Sequence, residues 1–381
     1  MIGIQLLGLL AAWTLAVLWL CRHPSAGLWL AATAIVFDTF FGFDVTAVGE
    51  VPSATVFGLN IYALDVLAVL FFSYGIVRLA IDHRVINHPF VILIVQVIVV
   101  FVSTAVGAQL FGAQRAGNNS RLYIWLFAFA IYPACIPKEF ALLRQLTRVL
   151  TVTSIVLVVT AISRWTLISF GLLSMQYTEA ASGETVRVLN AGQTLLIAST
   201  AVLTWYARRV WRSADIPRVE MILLPAIVLL QHRTVWVAAV GTTAVILYRE
   251  RVLRVVVVRN LAIAAVATLL IGGVLLPGRL AQSLATSASD QNSFVWRVDG
   301  WSELLSAERY TELNYLFGHP IGSDYTRGRA GRTTAVQAHN HYVQTFYDFG
   351  ITGIVFMVAF YWLAFRGGRR GSRGRQKATI L

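Results

Sequence analysis

Long apolar runs alternate with short polar stretches along almost the whole chain. A spanning helix needs about 20 mostly apolar residues. Segments near that length fall at roughly 3–20, 27–44, 58–77, 89–107, 121–137, 149–173, 190–206, 217–231, 234–248, 260–276 and 346–365. The pattern predicts an all-α polytopic membrane protein with about 11 transmembrane helices, in a range of 10 to 12. Pro225 interrupts the eighth segment. No basic residue precedes the first run, which therefore reads as a first span and not a cleaved leader. The spans leave no room for a separate soluble domain, so 1–381 reads as one integral membrane domain.

Composition points the same way. Hydrophobic residues make up 57% and charged residues 13%, against about 25% charged in soluble domains. The formal net charge of +13 would suggest nucleic acid in a soluble protein. Its distribution gives another reading. The tail 366–381 is basic and carries no acid, which predicts a cytoplasmic carboxyl terminus. Counting back through the spans puts the amino terminus outside. It also puts Arg208, Arg209, Arg212, Arg249, Arg251 and Arg254 in cytoplasmic loops, where they anchor to anionic lipid. The excess charge is thus topogenic, and no nucleic-acid partner is expected. Cys21 and Cys135 are too few for a disulfide framework.

One connection is far longer than the rest, at 277–345. On the same count it faces the periplasm or cell exterior, and loops this long are usually functional. Its stretch WRVDGWSELLSAERYTELNYLFG reads as one amphipathic helix, with Trp301, Leu304, Leu305 and Leu316 on an apolar face. Gly318, Pro320 and Gly322 then break it. The expectation is an amphipathic helix and re-entrant cap over the bundle.

Several chemistries lack their usual signatures. The chain has no GxGxxG, Walker, CxxC, HExxH or GxSxG motif, and no acidic cluster for a divalent metal. Neither a metal site nor a cofactor is predicted. The external face instead carries arginines that topology does not explain: Arg187, Arg233, Arg297, Arg309, Arg327, Arg329 and Arg332. A guanidinium stays charged and its fork matches phosphate oxygens. Several at one membrane surface would make an anion site. Arg187 alone could be an interfacial snorkelling residue. Arg233 lies between two apolar spans with almost no loop around it, where a charge must be paired. Arg164 lies inside an apolar run, with Asp38, Asp44 and Asp65 as conceivable partners. His339 begins the last apolar stretch and is a candidate proton acceptor near neutral pH. His341 is a weaker candidate, in a supporting role.

These residues resemble a known family. His339-Asn340 followed at fixed spacing by Gly350 and Gly353 is similar to the signature of the bacterial O-antigen ligases and related polysaccharide polymerases. QHRTVW with Arg233, Arg297 with Trp301, GHPIGSDY, and Arg187 before a span resemble other parts of that family. The resemblance covers about 186–357. It implies a multi-spanning C-type glycosyltransferase of the bacterial inner membrane. The donor would be a glycan on undecaprenyl diphosphate, transferred to an acceptor hydroxyl without metal or cofactor. His339 would take the acceptor proton. Arg187, Arg233 and Arg297 would hold the diphosphate. Asn340 would orient His339 or cap the last helix, and Gly350 and Gly353 would serve close packing.

Polymerases and ligases share these motifs. The polymerase reading, with a second lipid-linked repeat as acceptor, is taken first, because no feature marks a lipid A core partner. The alternative is a ligase acting on lipid A core or a protein. A chain-length regulator or a flippase would be a companion, beside membrane lipids. A different class, a flippase of lipid-linked sugars, would need paired repeats and inward-facing cavity charges; neither is visible.

Overall fold

The structure is a computed structural model. It describes residues 2–41, 54–56, 59–82, 88–136, 140–172, 188–189, 191–211, 219–230, 232–249, 262–263, 265–270, 292–329, 332–334 and 340–378. The chain divides into two compact units. The first comprises Met1–Gly27, Val51–Ile136 and Asn292–Leu381, and the second Leu28–Glu50 and Pro137–Gln291.

The first unit contains α1 (Ile2–Arg22), the hairpin β1 (Ala54–Val56) and β2 (Leu59–Ile61), and α3 (Ala63–Ile81), α4 (His88–Phe111) and α5 (Ala113–Cys135). The helix α2 (Pro24–Phe41) begins in this unit and runs into the second. α5 is the hub, packing on both α3 and α4. Its buried residues are Ala116, Ser120, Tyr123, Phe127, Ala128, Ile131, Tyr132 and Cys135. Steps of three and four place them on one helical stripe. The apolar run at 121–137 thus continues a helix that already starts at Ala113, through the polar AQRAGNNSR. Asp65, near the start of α3, ties α5 in place. Its Oδ1 accepts from Arg121 Nε at 3.2 Å and Trp125 Nε1 at 2.8 Å. Its Oδ2 accepts from the Tyr62 amide at 2.9 Å.

The rest of this unit is α10 (Asn292–Leu304), α11 (Glu312–Phe317), the hairpin β3 (Arg327–Arg329) and β4 (Arg332–Thr334), and α12 (His341–Ala378). The single amphipathic helix expected over 296–318 is not what forms. α10 ends at Leu304, a 3-10 turn covers Ala307–Arg309, and α11 starts afresh after Thr311. The extended backbone of Ser306 and Tyr310 breaks the helix, and the Thr311 side chain caps the next one by accepting from the Asn314 amide. Leu304 is fully buried with Tyr310, Tyr325 and Tyr347, whereas Leu305 and Leu316 are exposed. The apolar face is therefore split, because two short helices at different angles cannot share one stripe.

The segment after α11 lies across the α4–α5 turn. The Ile321 amide donates to Ser103 Oγ at 3.1 Å, and Ile321 is fully buried. A Cβ on Gly107 would fall 1.7 Å from the Ile321 carbonyl oxygen, so only glycine permits this approach.

The second unit holds α6 (Phe140–Ser169), α7 (Ala191–Trp211), α8 (Glu220–Leu229) and α9 (Arg233–Arg249). Its core joins Leu157, Ala161 and Trp165 of α6 to Ile197 and Ala201 of α7 and Leu223 of α8.

The fold is all-α apart from the two short hairpins, with the surface of a membrane protein. Val237, Val240, Val355 and Val358 are exposed on helices that are apolar all round, which is stable only in lipid. Among the described residues, four helices are long and apolar enough to span: Leu64–Ile81, Phe90–Phe111, Arg144–Ile168 and His341–Leu363. Gly8–Arg22, Pro24–Val36, Gly192–Thr204 and Val235–Ala244 are shorter apolar helices. Of the about 11 spans expected from hydropathy, four meet that length and composition among the described residues. The eighth segment forms only the ten-residue α8, which contains Pro225, and much of 260–276 lies outside the described residues.

Candidate active site

In the second unit, α9 begins at Arg233. The residue before it, His232, is buried, and its Nε2 donates to the Leu189 carbonyl at 2.8 Å. One residue earlier, the Val188 carbonyl accepts from Arg164 Nη1 at 2.9 Å. Consecutive carbonyls ahead of α7 are thus held by donors from α6 and from the α8–α9 turn. Arg187 itself, and the side chain of Arg233, lie outside the described residues. What the structure brings together is the His232 side chain, next to Arg233, and the Leu189 carbonyl, two residues after Arg187. For Arg164, Asp44 and the side chain of Asp38 also lie outside the described residues, while Asp65 is engaged by Arg121 and Trp125.

In the first unit, Asn340 caps α12. Its Oδ1 accepts from the amides of Tyr342 at 2.9 Å and Val343 at 3.3 Å, satisfying donors that have no partner inside the helix. His339, the residue before the cap, lies outside the described residues. His341 is exposed in the first turn and lines an apolar cavity of about 130 Å³ between α4, α5 and α12. Gln96, Tyr123, Thr345, Phe349 and Gly353 also line it. Arg297 is half-buried on α10, roughly two turns before Leu304, and Leu304 packs with Tyr347 and Val343 of α12.

Gly350 is not merely a packing glycine. Its φ of 59° and ψ of −155° break α12, leaving a half-helix over 341–349. A Cβ there would lie 2.5 Å from the Tyr315 carbonyl oxygen. At Gly353 a Cβ would lie 2.5 Å from Phe349 Cβ.

Arg309 is engaged within the scaffold, pairing with Glu303 at 3.0 Å and donating to the Thr326 carbonyl at 2.8 Å. Arg327, Arg329 and Arg332 belong to the β3–β4 hairpin. His319 stacks on Tyr347 at 4.4 Å and donates from Nε2 to the Arg309 carbonyl. Among the described residues no group of three or more His, Cys, Asp or Glu is placed to hold a metal.

One charged group was passed over in the sequence. Asp348 is fully buried, and its oxygens accept from Tyr123 and Tyr325, each at 2.7 Å. Burial, and then the Asp348 charge, push the Tyr325 phenol well above its ordinary pKa, so it remains a donor. The available signal was an acid inside an apolar run, which by default marks a functional position.

Residues 219–358 match the family described as O-antigen ligase. The match covers less than half of the chain. No curated protein and no solved structure matches the chain. The matched stretch takes in Arg233, Arg297, His339, Asn340, His341, Asp348, Gly350 and Gly353, while Arg187 precedes it. The match supports glycan-transfer chemistry, and it favours the ligase reading over the polymerase reading taken first from the sequence.

Proposed function

We propose that this protein is a glycan ligase of the bacterial inner membrane. It moves a glycan from undecaprenyl diphosphate to a hydroxyl on lipid A core or a protein. The observation that carries this reading is the family match over 219–358. The acceptor oxygen attacks the anomeric carbon, the bond from that carbon to the diphosphate oxygen breaks, and the lipid diphosphate leaves. His339 takes the acceptor proton. Arg187 and Arg233, with Arg297 as a third contact, stabilise the charge gathering on the leaving group, the task a metal would otherwise perform. The His232–Leu189 bond supports a shared diphosphate site, because it ties the side chain next to Arg233 to the main chain two residues after Arg187. The chain is read as one integral domain of about 11 spans of the C-type architecture. Its amino terminus and residues 277–345 face outside, and its basic tail is cytoplasmic.

The test uses purified protein in detergent with a lipid-linked glycan as donor. Product that forms only after lipid A core or a protein acceptor is added supports the ligase. A ladder of longer glycans from donor alone would restore the polymerase. Movement of intact lipid-linked sugar across vesicles without transfer would make the protein a flippase. EDTA is expected to leave transfer intact. Cysteine labelling at Ser283 from outside, and at Ser372 only after permeabilisation, checks the orientation.

A further inference from the structure

Among the described residues, the hydrogen bonds that tie the half-helix 341–349 to other elements gather at one end. Its buried end holds Asp348, whose two oxygens each receive one phenol. Tyr123 comes from α5 and Tyr325 from the segment before β3. Main-chain and hydroxyl bonds reinforce the same end. The His319 amide donates to the Tyr347 carbonyl at 2.8 Å, Tyr347 Oη to the Asp324 carbonyl at 2.7 Å, and Thr352 Oγ1 to the Leu316 carbonyl at 2.6 Å. The Tyr123 ring also meets Phe349 edge-on at 5.0 Å. The opposite end is the Asn340 cap, and the residue before that cap is His339.

Three facts make this more than packing. A carboxylate in an apolar surround is costly unless donors satisfy it, and an aliphatic side chain would pack there without that cost. The donors come from two separate elements, so together they fix rotation as well as depth. The break at Gly350 uncouples the half-helix from 351–378. The long remainder of α12 therefore cannot set the rotation of the part that follows the cap. A half-helix of this length spans roughly 1.5 Å per residue, so a small turn at Asp348 becomes a displacement at its far end.

We propose that Asp348, clamped by Tyr123 and Tyr325, is a positioning residue that sets where His339 meets the acceptor hydroxyl. This rests on the reading of His339 as the base. Asp348 touches no substrate; it acts through the half-helix.

The experiment measures kcat and donor KM for the full-length protein in detergent, with lipid-linked glycan and acceptor. The variants are His339→Ala, Asp348→Asn, Tyr325→Phe, Tyr123→Phe and Tyr310→Phe. Loss of the clamp is expected to lower kcat by up to about 10²-fold, the scale of an ångström-sized misplacement. Donor KM stays within about twofold, because the diphosphate contacts are elsewhere. Tyr310→Phe, which removes a buried phenol that makes no hydrogen bond among the described residues, leaves both constants unchanged. If Asp348→Asn does not fold, Tyr325→Phe and Tyr123→Phe decide, since each keeps its ring and removes one bond. Wild-type kcat in the clamp variants, with His339→Ala inactive, would overturn the clamp and leave the base assignment standing. A raised KM with unchanged kcat would also overturn it. Full turnover by His339→Ala would defeat the base assignment, and the clamp with it.

Discussion

In the second unit, cationic and imidazole donors reach for main-chain oxygens: Arg164 for Val188 and His232 for Leu189. In the first, a buried carboxylate collects hydroxyl donors from two elements around Asp348. The difference teaches what each region is built to hold. A carbonyl acceptor cannot be deleted by substitution, so the first arrangement fixes a stretch of backbone whatever its side chains are. That would suit a segment that presents arginines to an anion, as proposed for Arg187 and Arg233. A carboxylate between phenols fixes the rotation of one helix, which suits the placing of a proton acceptor. The arginine region should therefore govern donor binding together with leaving-group charge, and the clamped half-helix the proton transfer alone.

Substituting His339 by alanine should have the largest effect, lowering kcat by roughly 10²–10⁴ with little change in donor KM. A matching rise in KM would erase the distinction between the two regions. Arg233→Lys comes next. Losing the bidentate fork should cost about 1.5–3 kcal/mol of donor binding, or about 10–100-fold in KM. Arg187→Lys should behave alike. If either lowers kcat with donor KM unchanged, the arginines do not hold the donor and the contrast collapses.

Gly350→Ala tests the break in α12. Its φ of 59° and the Tyr315 carbonyl 2.5 Å from the new Cβ should cost about 1–3 kcal/mol. A lowered unfolding temperature in detergent, with donor KM intact, would keep this lesion in the first unit. His232→Leu leaves the Leu189 carbonyl without that donor, at about 1–3 kcal/mol. It should raise donor KM modestly and leave kcat unchanged; the reverse would move the arginine junction into the chemical step.

The smallest effect expected is at Asp324. The Thr326 hydroxyl and amide, with Arg115 at 3.4 Å, hold its carboxyl below the usual range. A depressed carboxylate stabilises above its unfolded pKa, and that stabilisation is lost as pH falls through the folded value. The protection factor of the Thr326 amide, its exchange rate relative to the intrinsic rate at the same pH, should fall at pH below about 4 and stay flat across neutral pH. A fall in protection between pH 6 and 8 would exclude this carboxylate as the cause.

The sequence by itself determined that the chain is a helical membrane protein, because lipid demands one composition over one length and helices satisfy their own backbone. α3, α4, α6 and the first part of α12 were legible for that reason. It also determined which arginines and which histidine lie near family-like motifs, since residue type and spacing are local facts. Tertiary structure decided the rest. Nothing near Arg164 in sequence indicates that it binds a main-chain oxygen at Val188, because carbonyls are the same at every position. Nothing in YDFG indicates that Asp348 is answered by Tyr123, 225 residues away. The split between α10 and α11 depends on burying Leu304 and Tyr310 with Tyr347, a preference that helical periodicity cannot express. Local rules fix what each segment can be. Which buried charge meets which donor is set only when distant segments pack, because satisfying that charge is a property of the assembled core.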